Sequence, residues 1–433
     1  MAIIKQKSLF VYEEVEGLGD LERLQLVLSV LPDSQLIEKL QRRRDKGRKD
    51  HSVVAMWNSV IAGIVYQHPA IESLRRELSR NGQLRHMCGL RSVPSSAAYT
   101  RFLHSLLSVS PLIEEMFNEL VTRCRELLPD FGRYTAIDSK AIPSVGQRRS
   151  KRTTVDCRGE HDADRGKKHY HGIDENGKSW EKIVSWFGFK LHLIVDSRYE
   201  LPLAYEISTA SASDVVEGRK LVKQAAYLHP ALFSTDEAYQ RYMSGDKGYD
   251  DTKFHEMLHA FGIVPILDIR NMWKDGHPYR WLEGYRSLGY DYQGTIYCYP
   301  KLSEQPVALS YVGYERERDT IRYQCPHSAY GIECPRHKTC SYRKGVRIKR
   351  SLNPRIFNQL PRSSYKWERE YKRRTAVERV NSRLDVSFGF EHHTIRGQEK
   401  MKLRVGLALV VMLALAVGRI EQKQPERMRS LVG

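Results

Sequence analysis

The stretch that most limits what this chain can become is Val405–Gly418, fourteen residues without one polar or charged side chain. A helix that is apolar on every side has to be enclosed, either deep in a large fold or in a bilayer. A membrane span needs about 20 apolar residues. This run is shorter and flanked by charges, so it predicts a buried helix beside the rest of a core. The 433 residues are enough for two or three domains. The chain carries 70 Lys+Arg against 52 Asp+Glu, a net charge of +18, which points to a polyanionic partner. Its basic residues are spread through the polar segments, which favours a broad nucleic-acid surface over a basic tail. Met1–Lys7 lacks the apolar centre of a secretory signal, and seven cysteines make no disulfide scaffold at this length, so a cytoplasmic protein without a membrane contact is expected.

Residues 20–130 read as helices: Leu21–Leu28, Gln35–Leu40, Ser52–Tyr66, Ile71–Arg80 stopped by Asn81-Gly82, Ser95–Leu107 and Pro111–Leu128. Arg75, Arg76, Arg80, Arg85, Arg91 and Arg101 are singly ordinary solvated charges, and together they make this a basic helical module. From Arg133 the period becomes that of strands. Asp138 closes Arg133–Ile137, and Asp246 closes Tyr242–Gly245. Between them Ile183–Val195 alternates and turns at Asp196-Ser197-Arg198 into Leu203–Ser208, a hairpin. A helix opens at Ser213, where Asp214 is explained as a cap with Glu217 and kept only as an accessory candidate. Asp250 and Asp251 start another helix, and Ile263–Leu267 is a buried strand. This order predicts an α/β fold, a mixed sheet flanked by helices.

Tyr371–Leu384 reads as one amphipathic helix with Val377, Val380 and Leu384 facing the core. Tyr371, Arg374 and Glu378 then share a face. On its own that is a surface ion pair. Joined by two acids at strand ends, where acids are poor strand formers, it becomes a set of three hard oxygen ligands suited to Mg²⁺. A pair of such ions, roughly 3.5–4 Å apart, can stabilise the attacking and leaving oxygens of a displacement at phosphorus.

At these residues the chain resembles the DDE transposases of bacterial insertion sequences, in the group with the signature Tyr-x2-Arg-x3-Glu-x6-Lys. Tyr371, Arg374 and Glu378 match in identity and spacing, and Asp385 stands at the lysine position. The resemblance extends to Trp186–Leu193 with Leu201–Ala204 and to Gly245–Asp250. It covers most of 130–420 and, more weakly, the N-terminal third. It implies a ribonuclease-H-like core whose first and fourth strands are neighbours. In that core Asp138, Asp246 and Glu378 would be catalytic, holding two Mg²⁺ (or Mn²⁺) ions. Tyr371 and Arg374 would contact phosphate, with Lys190 and Lys247 as further DNA contacts. The implied organisation is a DNA-end-binding helical domain at 1–130, the first part of the core at 131–270, an insertion at 271–365 and C-terminal helices completing the core at 366–433. The implied partners are double-stranded DNA, both terminal inverted repeats and target, and a second copy of the chain. Asp385 would repel phosphate, so another cation has to compensate, with Arg379 and Arg383 as candidates.

Two insertions interrupt the core. Residues 147–180, with Arg148, Arg149, Lys151, Arg152, Lys167 and Lys168, read as a mobile basic loop near the site. Cys157, His161, His169 and His171 there have no ligand spacing. In the second insertion Cys298, Cys325, Cys334 and Cys340, with His327 and His337, could form a structural Zn²⁺ site. The gaps of eight and five residues between the last three cysteines are wider than the tight pair of most zinc modules and favour reduced, partly buried thiols. Three rival functions stay open: a transposase-derived DNA-binding protein that no longer cuts, a ribonuclease-H-like nuclease without strand transfer, and a metal-independent RNA-binding protein.

Overall fold

The computed structural model describes residues 21–44, 50–146, 159–175, 178–233, 239–299 and 305–430. Its N-terminal third is helical: α1 Leu21–Val30, α2 Ser34–Arg43, α3 Val53–Val65, α4 Ile71–Arg80, α5 Gly82–Met87, α6 Ser96–Leu107 and α7 Ser110–Leu127. Short polar side chains satisfy the free amides at several helix starts. Ser52 Oγ accepts from the Ala55 amide at 3.0 Å and Ser95 Oγ from the Ala98 amide at 3.2 Å. Asn81, expected only as a stop, ends α4 and also caps α5, its Oδ1 accepting from the Leu84 amide at 2.9 Å.

The sheet comprises β1 Tyr134–Pro143, β2 Asp164–Ile173, β3 Ser179–Asp196, β4 Leu201–Thr209, β5 Arg241–Gly245 and β6 Ile263–Leu267, with helices α8 Asp214–Leu228 and α9 Thr252–Ala260 between the later strands. Its order is β2-β3-β1-β5-β6, with β4 also on β3. β1 runs antiparallel to β3 and parallel to β5, and β5 is parallel to β6, so the sheet is mixed as expected. All residues of β5 and β6 are buried, the pattern of parallel strands covered on both faces.

The expected loop at 147–180 is corrected in part. Residues 164–173 form β2, paired with β3 from Asp164↔Gly188 to Ile173↔Ser179. Gly166 lies opposite Trp186 and Gly172 opposite Trp180, where a Cβ would stand 2.5 Å and 2.4 Å from the indole rings. Each tryptophan covers bare backbone on the neighbouring strand, a pairing that a hydrophobic period does not reveal. The basic run Arg148–Arg152 and Cys157 lie outside the described residues.

Beyond β6 the second insertion folds as two small sheets. The first is β7 Arg280–Trp281, β8 Leu288–Tyr290, β9 Ile296–Cys298 and β10 Val307–Ala308; the second is β11 Ser310–Glu315, β12 Thr320–Gln324 and β13 Val346–Lys349. A short helix, α10 Pro326–Tyr330, follows β12. Both sheets enclose a core of their own around Leu288, Ile296, Ile321, Tyr323 and Ile348.

The single helix expected over Tyr371–Leu384 is divided into α11 Tyr365–Lys372, α12 Thr375–Ser382 and a wide π-turn at Arg383–Ser387. α11 docks on β5 and β6, whereas α12 docks on β1 and β3. One straight rod cannot follow both parts of a twisted sheet. The apolar run lies in α13 Gln398–Glu421, a helix of 24 residues, longer than the run itself. By length and composition it could cross a membrane, yet it is buried inside this fold against α1, α3, α7 and β4. One continuous apolar core joins the N-terminal helices, α13 and the sheet.

Because Leu409 is completely buried in α13, Leu409→Ala should lower unfolding stability by about 2–5 kcal/mol. Val386→Ala, at a side chain 67% exposed, should stay within about 0.5 kcal/mol of the parent. Urea midpoints of the two variants check this.

Candidate active site

The parallel pairing of β1 with β5 runs over Tyr134↔Tyr242, Thr135↔Met243 and Ala136↔Ser244. Two residues beyond the last pair stand Asp138 on one strand and Asp246 on the other. With a side-chain period of two, each repeats the face of its paired predecessor. The expectation that Asp138 ends its strand is corrected: β1 continues to Pro143 on the β3 side, with Asp138 opposite Leu193. What ends there is the pairing with β5. Asp246 does close β5, and its Oδ1 accepts from the Gly248 amide at 2.8 Å, starting a 3₁₀ turn.

Burial, and then the charge of Asp246, push the Asp138 carboxyl up to about 6, while Lys168 and Arg374 pull the other way. Lys168 reaches in from β2 and donates to the Ser139 carbonyl at 3.1 Å. Tyr249 is fully buried, and its hydroxyl is pushed well above its usual range by burial and then by Asp138, Asp214 and Asp246. That hydroxyl has no hydrogen-bond partner among the described residues. A Cβ on Gly248 would meet Asp246 Oδ1 at 2.7 Å and Asp214 Oδ2 at 3.7 Å, so both carboxylates border this glycine.

Asp214 is therefore more than the cap it was expected to be. Ser213 holds the N-cap position of α8 without a side-chain cap bond among the described residues, and Glu217 pairs with Lys220 at 2.8 Å. The Asp214 carboxylate instead takes Lys190 Nζ at 2.9 Å. Lys190, expected at DNA, is turned inward by this pair and by a bond to the Ala212 carbonyl at 2.8 Å. Lys247 remains largely exposed, 3.6 Å from Asp268.

Glu378 arrives on α12, which packs on β1 and β3. Arg374 donates to Glu378 Oε1 at 2.7 Å, and the charge of Asp138 also acts on its guanidinium. The Tyr371 ring stacks on Trp367 with centroids 4.7 Å apart. Burial, then Asp268, raise the Tyr371 hydroxyl, and Asp246 adds to the rise. Among the described residues no three Asp, Glu, His or Cys groups stand close enough to hold an ion as placed. Asp138, Asp214 and Asp246 all act on the Tyr249 hydroxyl, and Asp138 acts as well on Arg374, which holds Glu378. Carboxylates crowded at a buried edge are the donor set that a hard divalent cation takes.

The cation that answers Asp385 is neither candidate from the sequence. Arg379 and Arg383 both hold Glu200, at 2.7 Å and 3.2 Å. The π-turn carries Asp385 to β1, where Lys140 donates to its carboxylate. Lys140 lies two residues after Asp138, and that spacing was its only signal in the sequence. Glu200 has no signal in the sequence, Lys168 shows there only as part of a basic loop near the site, and Tyr249 only within the Gly245–Asp250 run, because a buried tyrosine looks like core.

Residues 129–414 match the family described as Transposase DDE domain. Among solved structures, the cryo-EM structure of a piggyBac transposase synaptic complex with hairpin DNA is similar at 12% identity, covering 95% of this chain and 79% of that chain with a TM-score of 0.40. That likeness is too slight to argue from. No curated protein matches the chain.

Two outcomes follow from these charges. The Asp138 pKa is raised from 3.8 to about 6, so its contribution to stability is fully present below the lower value and is lost as pH rises through the upper one. In metal-free buffer Asp138→Asn should therefore stabilise the protein by about 1–2 kcal/mol at pH 7.5 and by nothing near pH 4, the gain being discounted for partial exposure. Denaturant unfolding across that range reads it. Separately, a double-mutant cycle on Lys140→Ala and Asp385→Ala should give a coupling of about 1–3 kcal/mol, and no coupling would mean the pair is ornamental.

Proposed function

We propose that this chain, which belongs to the Transposase DDE domain family, does its chemistry at Asp138, Asp246 and Glu378. It is a DNA transposase, an enzyme that cuts DNA and transfers strands. The observation that carries the assignment of the site is the matched position of Asp138 and Asp246 on parallel neighbouring strands, with Asp138 driven up by burial and by its neighbour. Two carboxylates that act on each other at a buried sheet edge oppose folding, which a structural role alone does not account for. Adjacency of β1 and β5, with β3 and β4 as a hairpin on the other side, supports reading the sheet as ribonuclease-H-like.

Asp138, Asp246 and Glu378 would hold Mg²⁺ or Mn²⁺, with Asp214 as an accessory acid. Two such ions supply activation of the attacking oxygen and charge relief at the leaving one. The chain's own side chains do the rest. Arg374, paired with Glu378, would exchange that carboxylate for a DNA phosphate, and Tyr371 would offer a hydroxyl nearby. Exposed Lys247 adds a phosphate contact. Lys140 neutralises Asp385, so that acid does not repel the substrate. The substrate proposed is the pair of terminal inverted repeats of an insertion sequence. These would be gripped by the basic helices before residue 130 and brought together by a second copy of the chain.

A supercoiled plasmid bearing the flanking repeats should be nicked in Mg²⁺ and not in EDTA, and precleaved ends should join to target DNA. Glu378→Gln should lower both by at least about a hundredfold while DNA binding persists. Binding without metal-dependent cutting would favour the silent derivative, and cutting without joining would favour a plain nuclease.

A further inference from the structure

The segment from Cys325 to Lys344 has little to hold it. It contains α10, one 3₁₀ turn at His337–Thr339 and loops, with Tyr330 72% and Ile332 45% exposed. A stretch of this length with almost no apolar core of its own usually needs a cross-link. It holds three cysteines: Cys325 where β12 ends, Cys334 in the loop and Cys340 at the end of the 3₁₀ turn. The fourth, Cys298, comes from β9 of the other small sheet, where it faces Leu288 and Val307 on the neighbouring strands. We propose that Cys298, Cys325, Cys334 and Cys340 form a structural Zn²⁺ site that staples this segment to the first small sheet.

Twenty-six residues separate the first thiol from the second, and eight and five the rest, yet β12, which Cys325 follows, packs in the same apolar cluster that Cys298 borders. Cys340, Cys325 and Cys334 all act electrostatically on Cys298. All four are partly buried and free. The Tyr342 amide donates to Cys340 Sγ at 3.3 Å, the kind of bond that steadies a thiolate. Cys298 and Tyr342 border the same apolar cluster. The two histidines are occupied with each other and with their own loop: their rings are 3.8 Å apart, and His327 Nδ1 is 2.9 Å from the Ile332 carbonyl. That leaves an all-sulfur set, which selects tetrahedral zinc over hard cations. As placed the thiols do not yet close on an ion, so binding would draw the exposed segment in on β9.

Full-length protein expressed in zinc-replete medium and dialysed without chelator should carry about one zinc per chain by elemental analysis. Co²⁺ in its place should give the intense visible bands of tetrahedral sulfur ligation. Zn²⁺ should slow alkylation of these four thiols at least about tenfold, read by mass spectrometry on the folded chain. Cys334→Ser should lose the metal, and Cys124→Ser, at a thiol buried in the main core, should keep it. Less than about one-tenth zinc per chain, or alkylation indifferent to added Zn²⁺, would overturn the proposal. So would zinc retained in Cys334→Ser. None of these readouts depends on DNA cutting, so the site can fail while the catalytic assignment stands, or the reverse.

Discussion

Three residue pairs hold β1 against β5, and the acids at the site stand where they do because of that short parallel contact. It works against itself at the Asp138 end, where burial and a second carboxylate both oppose charge. Its neighbours sustain it. Thr135 Oγ1 donates to the Tyr242 carbonyl and Ser244 Oγ to the Thr135 carbonyl, each at 3.1 Å. The rings of Tyr134 and Tyr242 stack 5.4 Å apart and only 3° from parallel. On its other side β1 is paired with β3 from Thr135 to Pro143, and β5 is backed by β6. The repulsion is local, and the restraint is spread over the sheet and over a core that α13 fills from end to end.

The third acid is positioned by charge on a different residue. Glu200, in the β3–β4 turn, takes Arg379 and Arg383 from the Glu378 helix and its extension, and Arg429 from the C-terminal end at 3.1 Å. Burial lowers the Arg383 guanidinium to about 10. A buried carboxylate shared by three cations orders what it joins more than it stabilises it. Here it holds α12 on β1 and β3, where Arg374 meets Glu378.

The sequence made the strands, the helices and the three acids legible because each has a local signal: a period, a cap, an acid where a strand should end. What it hid depends on partners distant in the chain. Asp214 looked like a cap because Glu217 lies three residues on, yet its partner is Lys190, 24 residues earlier. Lys190 looked like a DNA contact for the same reason, since a lysine on an alternating strand says nothing of the acid that will meet it. The loop at 147–180 was misjudged over 164–173 because two glycines under two tryptophans spoil the hydrophobic period while making the pairing possible. The helix break before Thr375 left no Gly or Pro to mark it, because it answers the twist of the sheet.

The insertion raises a last question, how an acid after so long an excursion can complete a site begun at β1. The two ends of the excursion are tied together at the core. Arg362 donates to the Leu267 carbonyl at 3.0 Å and to the Arg355 carbonyl at 3.1 Å. Arg355 in turn reaches Asp250 Oδ2 at 2.7 Å and the Arg270 carbonyl at 3.1 Å, and the Arg270 amide donates to that same Asp250 oxygen at 2.8 Å. Departure and return are thus pinned to one buried carboxylate at the end of the 3₁₀ turn that follows Asp246. Closing a longer loop between fixed ends costs only about 0.6 kcal/mol per doubling, so the length between them is nearly free. The geometry of Glu378 is then set by the core and the clamp. The small sheets and their cysteines can answer to a different requirement without moving the acid.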